Sequence, residues 1–204
     1  MKLLFTRHGK VDSNDKKIYN GQTEEPLTIE GKWQAKKLAE RLKTERVDQI
    51  ISSGSLRAVQ TAEIINESIN TKITIEKNLK EIHFGIFENK SIQYIRDNYK
   101  EIYEKRKKDK FNYRLPDGES YKDIYDRVTP VIKKLAENSG TYLLVTHATV
   151  IKVLLYLLAK ESLEDIEKRI YKNTCLFKFD AKMKGGELTV SPEIFNSTEH
   201  LINS

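Results

Sequence analysis

The sequence predicts an α/β fold in which short buried strands alternate with amphipathic helices. Two observations support this prediction: four short apolar runs, and intervening stretches whose apolar residues recur three or four positions apart. The apolar runs are continuous rather than alternating, which is typical of strands covered on both faces. With 204 residues, the chain is long enough for one sizeable core and short for two full domains.

The predicted strands and helices alternate along most of the chain. The strands are expected at residues 2–6, 49–52, 73–76 and 142–146. The helices are expected at residues 28–43, 55–67, 119–137 and 149–159. Pro130 should kink the third helix or disrupt one of its turns. The fourth helix is apolar nearly all round, which predicts that it is buried.

The remaining segments are assigned from turn signals and composition. A helical segment to residue 171 precedes a predicted hairpin, whose strands at 175–180 and 188–190 flank Gly185–Gly186. Residues 77–118 contain no clear strand and are interpreted as an insertion or lid over the sheet. Since no repeat, linker or low-complexity tract is found, residues 1–204 are expected to form a single domain. The apolar strand at 175–179 could lie at a dimer edge or be covered by the C-terminal segment, so a monomer and a homodimer both remain open.

Composition narrows the class of protein. The chain carries 36 Lys and Arg against 30 Asp and Glu, a net charge of +6, which fits an anionic partner without identifying it. No recognisable nucleic-acid motif and no basic stripe interleaved with aromatic residues is present, so no nucleic-acid partner is predicted. No apolar run approaches a bilayer span, and no signal peptide is evident, so no membrane partner is predicted. The single cysteine, Cys175, favours a reducing, cytoplasmic location.

Histidine and arginine residues follow the predicted strands where each strand ends. Arg7-His8-Gly9 comes directly after the first strand, and His147 directly after the strand at 142–146. Arg57 begins the helix that follows another strand. Because ligands of open α/β sheets bind outside the carboxyl ends of the strands, these side chains are expected to form one cationic, anion-binding cluster. A metal site at the two histidines is the alternative, but a zinc site would normally need a third His, Cys or carboxylate at suitable spacing, and the arginines would repel a cation.

Arg7-His8-Gly9 with Asn14 resembles the RHG signature of the histidine phosphatase superfamily, whose best-known branch is the cofactor-dependent phosphoglycerate mutases. The resemblance implies a three-layer α/β/α sandwich with a mostly parallel central sheet, and it spans residues 6–151 at least. Further motifs in matching order are Asn20-Gly21, Pro26-Leu27-Thr28, Ser52-Ser53, Leu56-Arg57-Ala58, Gln60-Thr61-Ala62, Leu79-Lys80-Glu81, Phe84-Gly85, Glu88, the Leu115 to Ser120 run and Val145-Thr146-His147.

The resemblance implies phosphoryl transfer through a phosphohistidine. Neutral His8 would attack phosphorus, with Arg7 and Arg57 forked onto the phosphoryl oxygens and His147 donating a hydrogen bond to them. Glu81 would protonate the leaving alkoxide and then deprotonate the attacking water. Neither a metal nor another cofactor is expected, because these side chains supply the positive charge. The phosphoryl cradle is expected to be completed by Asn14, Asn20, Gly21 and Ala148.

Three functions are compatible with this resemblance. A phosphomonoesterase acting on small-molecule phosphate esters is favoured over a mutase, because Ile82 and Phe84 stand where mutases have Arg and Tyr beside the acid. An obvious Trp-Arg-Arg cluster, which a mutase would use to hold a substrate carboxylate, is also missing downstream. A non-catalytic phospho-ligand binding module is the third candidate, although the intact His8, His147 and Glu81 argue against it. The sequence departs from the family pattern at Lys10, Val11, Gly54 and Ala148-Thr149. None of these departures removes a residue to which the resemblance gives a chemical role.

Several other residues receive structural interpretations. Trp33 is predicted to lie in the core, Cys175 to be a buried small hydrophobe, and His200 to be exposed near the chain's end. His83 is interpreted as a pocket wall or structural residue, and the basic run 105–110 as a solvated helix face. The small phosphatases resembled include alpha-ribazole, broad-specificity acid and sugar bisphosphate phosphatases. The following lid aromatics would suit a ring-bearing ester, although most are expected to pack the lid onto the body: Tyr94, Tyr99, Tyr103, Phe111 and Tyr113.

Overall fold

A six-stranded sheet in the order β3-β2-β4-β1-β5-β6 forms the centre of the protein, for which a computed structural model describes residues 1–184 and 187–202. Strands β1 to β4 are parallel, whereas β5 pairs antiparallel with both β1 and β6. The strand bounds are β1 Lys2–Arg7, β2 Gln49–Ser52, β3 Lys72–Ile75, β4 Thr141–Thr146, β5 Leu176–Lys184 and β6 Glu187–Ser197. The mostly parallel α/β architecture predicted from the sequence is therefore confirmed.

Helices cover both faces of this sheet. Four of them lie close to the predicted positions, and Pro130 is accommodated inside one continuous helix. Among the described residues, none of the helices has both the length and the apolarity required to span a bilayer. The helix bounds are α1 Asp12–Lys16, α2 Ile29–Leu42, α3 Leu56–Ile69, α4 Ile92–Asn98, α5 Lys100–Lys108, α6 Tyr121–Ala136, α7 Ala148–Ala159 and α8 Leu163–Lys168.

Alternate residues of the strands enter two separate apolar cores, one on each face of the sheet. Leu3 and Phe5 of β1 contact the core that α6 and α7 cover, whereas Leu4 contacts the core beneath α2 and α3. Both groups are fully buried. Burial on two faces explains why β1 and β4 read as continuous apolar runs rather than as alternating ones, and it produces the three layers.

The predicted lid folds into two short helices, α4 and α5, with a small apolar core of their own. Tyr99, Tyr103 and Tyr113 pack against that core, and Phe111 packs against Tyr125 and Tyr156 of the body. Most lid aromatics therefore have structural roles, as expected, and none of the five named above lines the pocket described below.

The basic run at the end of α5 is not uniformly solvated, contrary to the sequence-based interpretation. Arg106 is buried, and its guanidinium lies over the rings of Phe84 and Tyr121. Its long stem and planar head pack against aromatic surface, which a periodicity of charges alone does not reveal.

Two further predictions about individual residues were wrong. Trp33 is 40% exposed, with Lys37 over its ring, because α2 buries the face that contains Gln34, Ala35 and Leu38 instead. His200 is half-buried rather than exposed, and its ring meets the hydroxyl of Thr174 at 3.2 Å.

The predictions for the C-terminal region were largely correct. Cys175 is fully buried, as predicted, and burial raises the pKa of its thiol to about 11. Strand β6 covers β5, so the apolar strand near Cys175 is internal to the sheet rather than an exposed edge. The predicted Gly185–Gly186 turn lies outside the described residues.

The loop after β1 packs backbone against backbone on the start of α2. A Cβ on Gly31 would overlap the carbonyl oxygen of Lys10 and lie 2.7 Å from its nitrogen. The same loop is held by Lys10 N–H donating to the Gln34 side chain at 3.0 Å and by Thr28 N–H donating to the Lys10 carbonyl at 3.0 Å. The absence of a side chain at Gly31 therefore sets how closely this loop approaches the helix.

We expect Gly31→Ala to lower the free energy of unfolding by about 1–3 kcal/mol, because the contact leaves no space for a methyl group. Alanine is otherwise favoured over glycine in helices by about 1 kcal/mol, so a loss of stability would be specific to this contact. Urea unfolding measures the change, with Lys32→Ala at the exposed neighbouring position as the matched control. A Gly31→Ala protein as stable as the parent would contradict the close approach.

Candidate active site

The sheet register brings the predicted histidines together at the carboxyl ends of two neighbouring strands. Arg7 is paired with Thr146 in the β1–β4 ladder, and the next N–H, that of His8, donates to the Thr146 carbonyl at 3.0 Å. His8 and His147 therefore leave adjacent strands at the same level, with ring centroids 5.2 Å apart. The prediction that two strands deliver both imidazoles to one site is correct in its geometry.

The hydrogen bonds of His8 define one tautomer. Nδ1 lies 2.7 Å from the carbonyl oxygen of Gly9, which can only accept, so Nδ1 carries the proton. Nε2 then holds the lone pair, and it accepts a hydrogen bond from Nε–H of Arg57 at 3.1 Å. Because the ring is nearly fully buried, this arrangement gives a neutral imidazole whose unprotonated nitrogen faces the arginine.

Arg57 lies in the first turn of α3 and is 1% exposed. Its Nη1 donates to the Thr23 carbonyl at 2.7 Å and its Nη2 to the Gly21 carbonyl at 2.6 Å. Nη2 also approaches Nδ1 of His147 at 3.3 Å. The guanidinium is thus tied to two backbone carbonyls and to both imidazoles at once, a set of directions that a lysine could not provide.

His147 has the opposite tautomer to His8. Since a guanidinium can only donate, Nδ1 of His147 accepts from Arg57, and the ring proton resides on Nε2. Nε2 is 2.8 Å from the hydroxyl oxygen of Ser53, which is fully buried at the end of β2. Ser53 reaches this position because its N–H donates to the Val145 carbonyl at 3.1 Å, which continues the β2–β4 ladder.

Glu81 lines the same pocket as His8 and is buried. One carboxylate oxygen accepts from its neighbour's N–H, that of Ile82, at 2.9 Å, and the other from Thr149 N–H at 3.3 Å in the first turn of α7. Arg127 of α6 braces the same segment: Nη2 donates to the Lys80 carbonyl at 2.7 Å. The acid is therefore placed at a helix N-terminus by contacts from two helices.

The four predicted cradle residues lie around His8, with different roles. Asn14, Asn20 and Ala148 line the pocket, and the amide group of Asn20 donates to Ser13 at 2.7 Å. The Oδ1 of Asn14 accepts from Val11 N–H at 3.2 Å. Gly21 instead supplies the carbonyl that Arg57 binds.

Glu88 fixes the position of Gly21. A side chain on Gly21 would collide with the Glu88 carboxylate, which accepts from Gly21 N–H at 3.0 Å and from Phe84 N–H at 2.9 Å. Glu88 was quoted as part of the sequence resemblance, but the role of its carboxylate as the junction between two loops was not predicted.

A loop before β5 supports the site from behind, and sequence reasoning missed it. The Tyr171 carbonyl accepts from Nη1 of Arg7 at 2.8 Å. The side-chain amide of Asn173 donates to the His8 carbonyl at 2.9 Å and to Oδ1 of Asn14 at 3.1 Å. In the sequence, Asn173 is distinguished by its position two residues before the predicted strand at 175–180. That position indicates a role at the site once β5 is known to pair with β1.

These residues enclose a pocket of about 300 Å³. Its lining combines the two arginines, His8 and Glu81 with apolar and further polar side chains. Within residues 1–184 and 187–202, no group of three or more His, Cys, Asp or Glu side chains is arranged to hold a metal ion. Besides Asn14, Asn20 and Ala148, the other lining residues are Val11, Lys17, Ile18, Tyr19, Phe84, Ile92 and Thr149.

Electrostatics keep both imidazoles neutral. Burial, and then the charges of Arg57 and Arg7, hold the pKa of His8 well below its usual range. Burial, Arg57 and His8 do the same for the pKa of His147. Burial also lowers the pKa of Arg7, partly opposed by Glu81. The positive charge of the site therefore resides on the arginines, while His8 keeps its lone pair.

The chain belongs to the histidine phosphatase superfamily, branch 1, whose family model matches residues 3–192. A probable phosphoglycerate mutase, GpmB, of Citrobacter koseri is 30% identical over 149 residues, which are 72% of this chain and 69% of the relative. A 6-phosphofructo-2-kinase/fructose-2,6-bisphosphatase of Arabidopsis thaliana is 33% identical over 168 residues, 80% of this chain but only 22% of that longer relative.

Solved structures of similar proteins share the whole fold. YhfR of Bacillus stearothermophilus superimposes with a TM-score of 0.87 at 26% identity, covering 98% of each chain. The alpha-ribazole phosphatase from Shigella flexneri has a TM-score of 0.84 at 25% identity, covering 97% of this chain and 96% of its own. Phosphatases and mutases thus both occur, by name, among the proteins to which this chain is similar.

The lowered pKa values predict a loss of stability in mild acid. Because the folded pKa of each buried histidine lies below the unfolded value of about 6.5, the unfolded chain takes up protons first as the pH falls. Stability should therefore be intact above pH 7 and decline below pH 6.5. His8 and His147 should together remove about 3 kcal/mol between pH 7.5 and 5.5, at about 1.4 kcal/mol each.

Urea unfolding at several pH values measures this decline. His200, whose pKa burial lowers to about 4, adds a decline of the same sign, so His8→Gln should remove about a third of the total. His200→Gln should remove a similar part, and the double variant His8→Gln/His200→Gln should leave the contribution of His147. A stability that stays constant from pH 7.5 to 5.5 would show that the two imidazoles are not held neutral.

Proposed function

We propose that this protein is a phosphomonoesterase that hydrolyses small-molecule phosphate esters through a phosphohistidine on His8. The observation that carries the proposal is the tautomer of His8: Nδ1–H is held by the Gly9 carbonyl, and the Nε2 lone pair is presented beside Arg57. A neutral, oriented imidazole next to two arginines is suited to attack a phosphoryl group, because positioning and charge neutralisation supply most of the catalysis in phosphoryl transfer.

In the first proposed step, Nε2 of His8 bonds to phosphorus while the bond from phosphorus to the ester oxygen breaks. The Nε–H of Arg57 that faces Nε2 would turn to a phosphoryl oxygen, which frees the lone pair. Arg7 has a buried Nε–H without a partner among the described residues, and this donor is available to a second phosphoryl oxygen. Arg7 and Arg57 would thus each donate one Nε–H to the phosphoryl group. The Nη atoms of Arg57 would keep their hydrogen bonds to the carbonyls of Gly21 and Thr23.

His147 would change protonation state when the phosphate dianion binds. In its neutral form Nδ1 is an acceptor, so it cannot donate to a phosphoryl oxygen. A dianion beside the ring favours the imidazolium, which donates from Nδ1 to the phosphoryl group and from Nε2 to the Ser53 hydroxyl. Ser53 accordingly supports the charged ring without competing for the nitrogen that faces the substrate.

Glu81 is proposed as the general acid and base. Its protonated carboxyl group gives a proton to the departing alkoxide, and the resulting carboxylate then takes a proton from the water that attacks phospho-His8. The water oxygen bonds to phosphorus as the bond to Nε2 breaks, which releases inorganic phosphate and restores neutral His8. The reaction requires no metal, because Arg7, Arg57 and the charged His147 neutralise the phosphoryl group.

Mutase activity is the second candidate, supported by the names of relatives such as the Citrobacter koseri protein. A mutase must hold an anionic substrate while its phosphoryl group is returned to another oxygen. Apart from Arg7, Arg57 and His8, the described residues that line the pocket include one basic side chain, Lys17. Ile82 and Phe84 follow Glu81 in the chain. The walls therefore favour release of the dephosphorylated alcohol and transfer to water.

Hydrolysis of 4-nitrophenyl phosphate with and without EDTA tests the proposal. We expect chelator-resistant turnover and a phosphoenzyme that is stable in base and labile in acid, as phosphohistidine is. His8→Ala should abolish the phosphoenzyme and lower kcat by at least about 1,000-fold, because the nucleophile is lost. Phosphoglycerate interconversion faster than phosphate release would identify a mutase, and binding of phosphate esters without any phosphoenzyme would identify a binding module.

Glu81→Gln should separate the two proposed steps. Nitrophenolate leaves without a proton, so phosphorylation of His8 should slow little, while hydrolysis of phospho-His8 loses its base and should slow by about 100- to 10,000-fold. A stopped-flow measurement should then show a burst of one nitrophenolate per enzyme, followed by slow turnover. For an alkyl phosphate, whose leaving group needs the proton, the same variant should show no burst. Equal effects on both substrates would contradict the double role of Glu81.

A further inference from the structure

The pocket has two chemically different halves. Besides the charged and polar groups around His8, it is lined by the side chains of Ile18, Tyr19, Phe84 and Ile92, which form its apolar wall, with the exposed Lys17 next to them in the chain. Tyr19 and Phe84 meet edge to face, with ring centroids 4.7 Å apart. The alcohol part of an ester bound at His8 would therefore contact apolar and aromatic surface.

The wall offers little to a polyol. The amides beside it are partly engaged by the protein: Oδ1 of Asn14 accepts from Val11 and Asn173, and Nδ2 of Asn20 donates to Ser13, while Oδ1 of Asn20 has no partner among the described residues. Sugar hydroxyl groups placed against the apolar wall would lose hydrogen bonds to water without replacement, which is unfavourable. A flat apolar ring would gain free energy from burial and from edge-to-face contact with the aromatic pair.

Hydrogen bonds to neighbouring segments hold this wall in place, including Phe84 and Ile92, which belong to the lid segment at residues 77–118. Ile18 forms an antiparallel bridge with Ser91, and Tyr19 N–H donates to the Lys90 carbonyl at 3.0 Å. The Glu88 carboxylate accepts from Phe84 N–H at 2.9 Å. A wall that is already ordered binds an apolar group without the entropic cost of arranging side chains.

We propose that the substrate is a monoester of a compact, ring-bearing alcohol, with Phe84, Tyr19 and Ile92 as the residues that select it. This inference rests on the proposed function, because it assumes that the phosphoryl group lies at His8. The pocket volume, about 300 Å³, is at the small end of the range for ligand sites. It therefore fits an ester with one ring better than a phosphoprotein or an extended nucleotide.

Two alkyl esters with leaving alcohols of similar acidity separate recognition from leaving-group chemistry: 2-phenylethyl phosphate and glycerol 3-phosphate. For the parent protein we expect kcat/KM to be about ten-fold or more higher for the phenylethyl ester. Ile92→Ser and Phe84→Leu should each reduce this ratio by about three-fold or more. Tyr94→Ser is the matched control, because Tyr94 is an exposed lid aromatic that does not line the pocket, and it should keep the parent ratio.

The phosphoenzyme assay distinguishes the ways in which this can fail. Equal or faster turnover of glycerol 3-phosphate, with phospho-His8 still formed, would overturn the substrate class and leave the phosphatase function intact. A preference for the ring that persists in both wall variants would also overturn the assignment of Phe84 and Ile92. If neither ester is hydrolysed and no phosphoenzyme forms, the proposed function itself fails. Ile92→Ser keeps the test valid if Phe84→Leu does not fold, since Ile92 is half-buried in the first turn of α4.

Discussion

The site depends on one buried guanidinium group. Arg57 contacts the carbonyls of Gly21 and Thr23 and the unprotonated nitrogens of His8 and His147. A charge that is 1% exposed is costly to desolvate, and burial accordingly lowers its pKa. The cost is offset because nearly every N–H of the group has an acceptor. The same contacts determine the position of the Gly21–Thr23 loop and the orientation of both imidazoles, so this loop, His8 and His147 cannot move independently.

Carboxylates around this arginine complete the arrangement. Glu24 accepts from Leu56 N–H at 2.6 Å, at the start of the helix that carries Arg57, and Glu25 accepts from Ser13 N–H at 2.8 Å. Glu88 connects Gly21, in the loop at residues 20–25, to Phe84, in the segment that bears Glu81. Each acid therefore offsets part of the buried charge and also satisfies backbone N–H groups that a tight loop cannot pair internally.

The sequence predicted the elements that are determined by local pattern. The two-face burial of β1 and β4 is visible as continuous apolar runs, and parallel register then places His8 beside His147 without further information. Spacing alone does not place a residue at the margin of an apolar stripe, and for this reason Trp33 was assigned to the core although α2 buries Gln34 and Ala35. The carboxylates of the 20–25 loop resemble ordinary surface charges in sequence, because their backbone partners are distant in the chain or belong to turns.

The supporting loop before β5 was unpredictable for a topological reason. Asn173 lies 165 residues from His8 along the chain, and the two meet only because β5 reverses direction and pairs with β1. The antiparallel strand thereby brings a side-chain amide behind the nucleophile, where a parallel strand would have brought its amino end to the opposite edge of the sheet.

Burial beside charged arginines also explains why the two imidazoles are neutral. In the proposed reaction, the site needs positive charge to attract a phosphate dianion, but a protonated His8 would have no lone pair with which to attack. Placing the charge on Arg7 and Arg57, whose guanidinium groups stay protonated even when buried, meets both requirements. Their field and the surrounding burial then hold the pKa of His8 and that of His147 low. The net charge of +6 is secondary to this local arrangement, because two arginines at strand and helix ends determine where the charge acts.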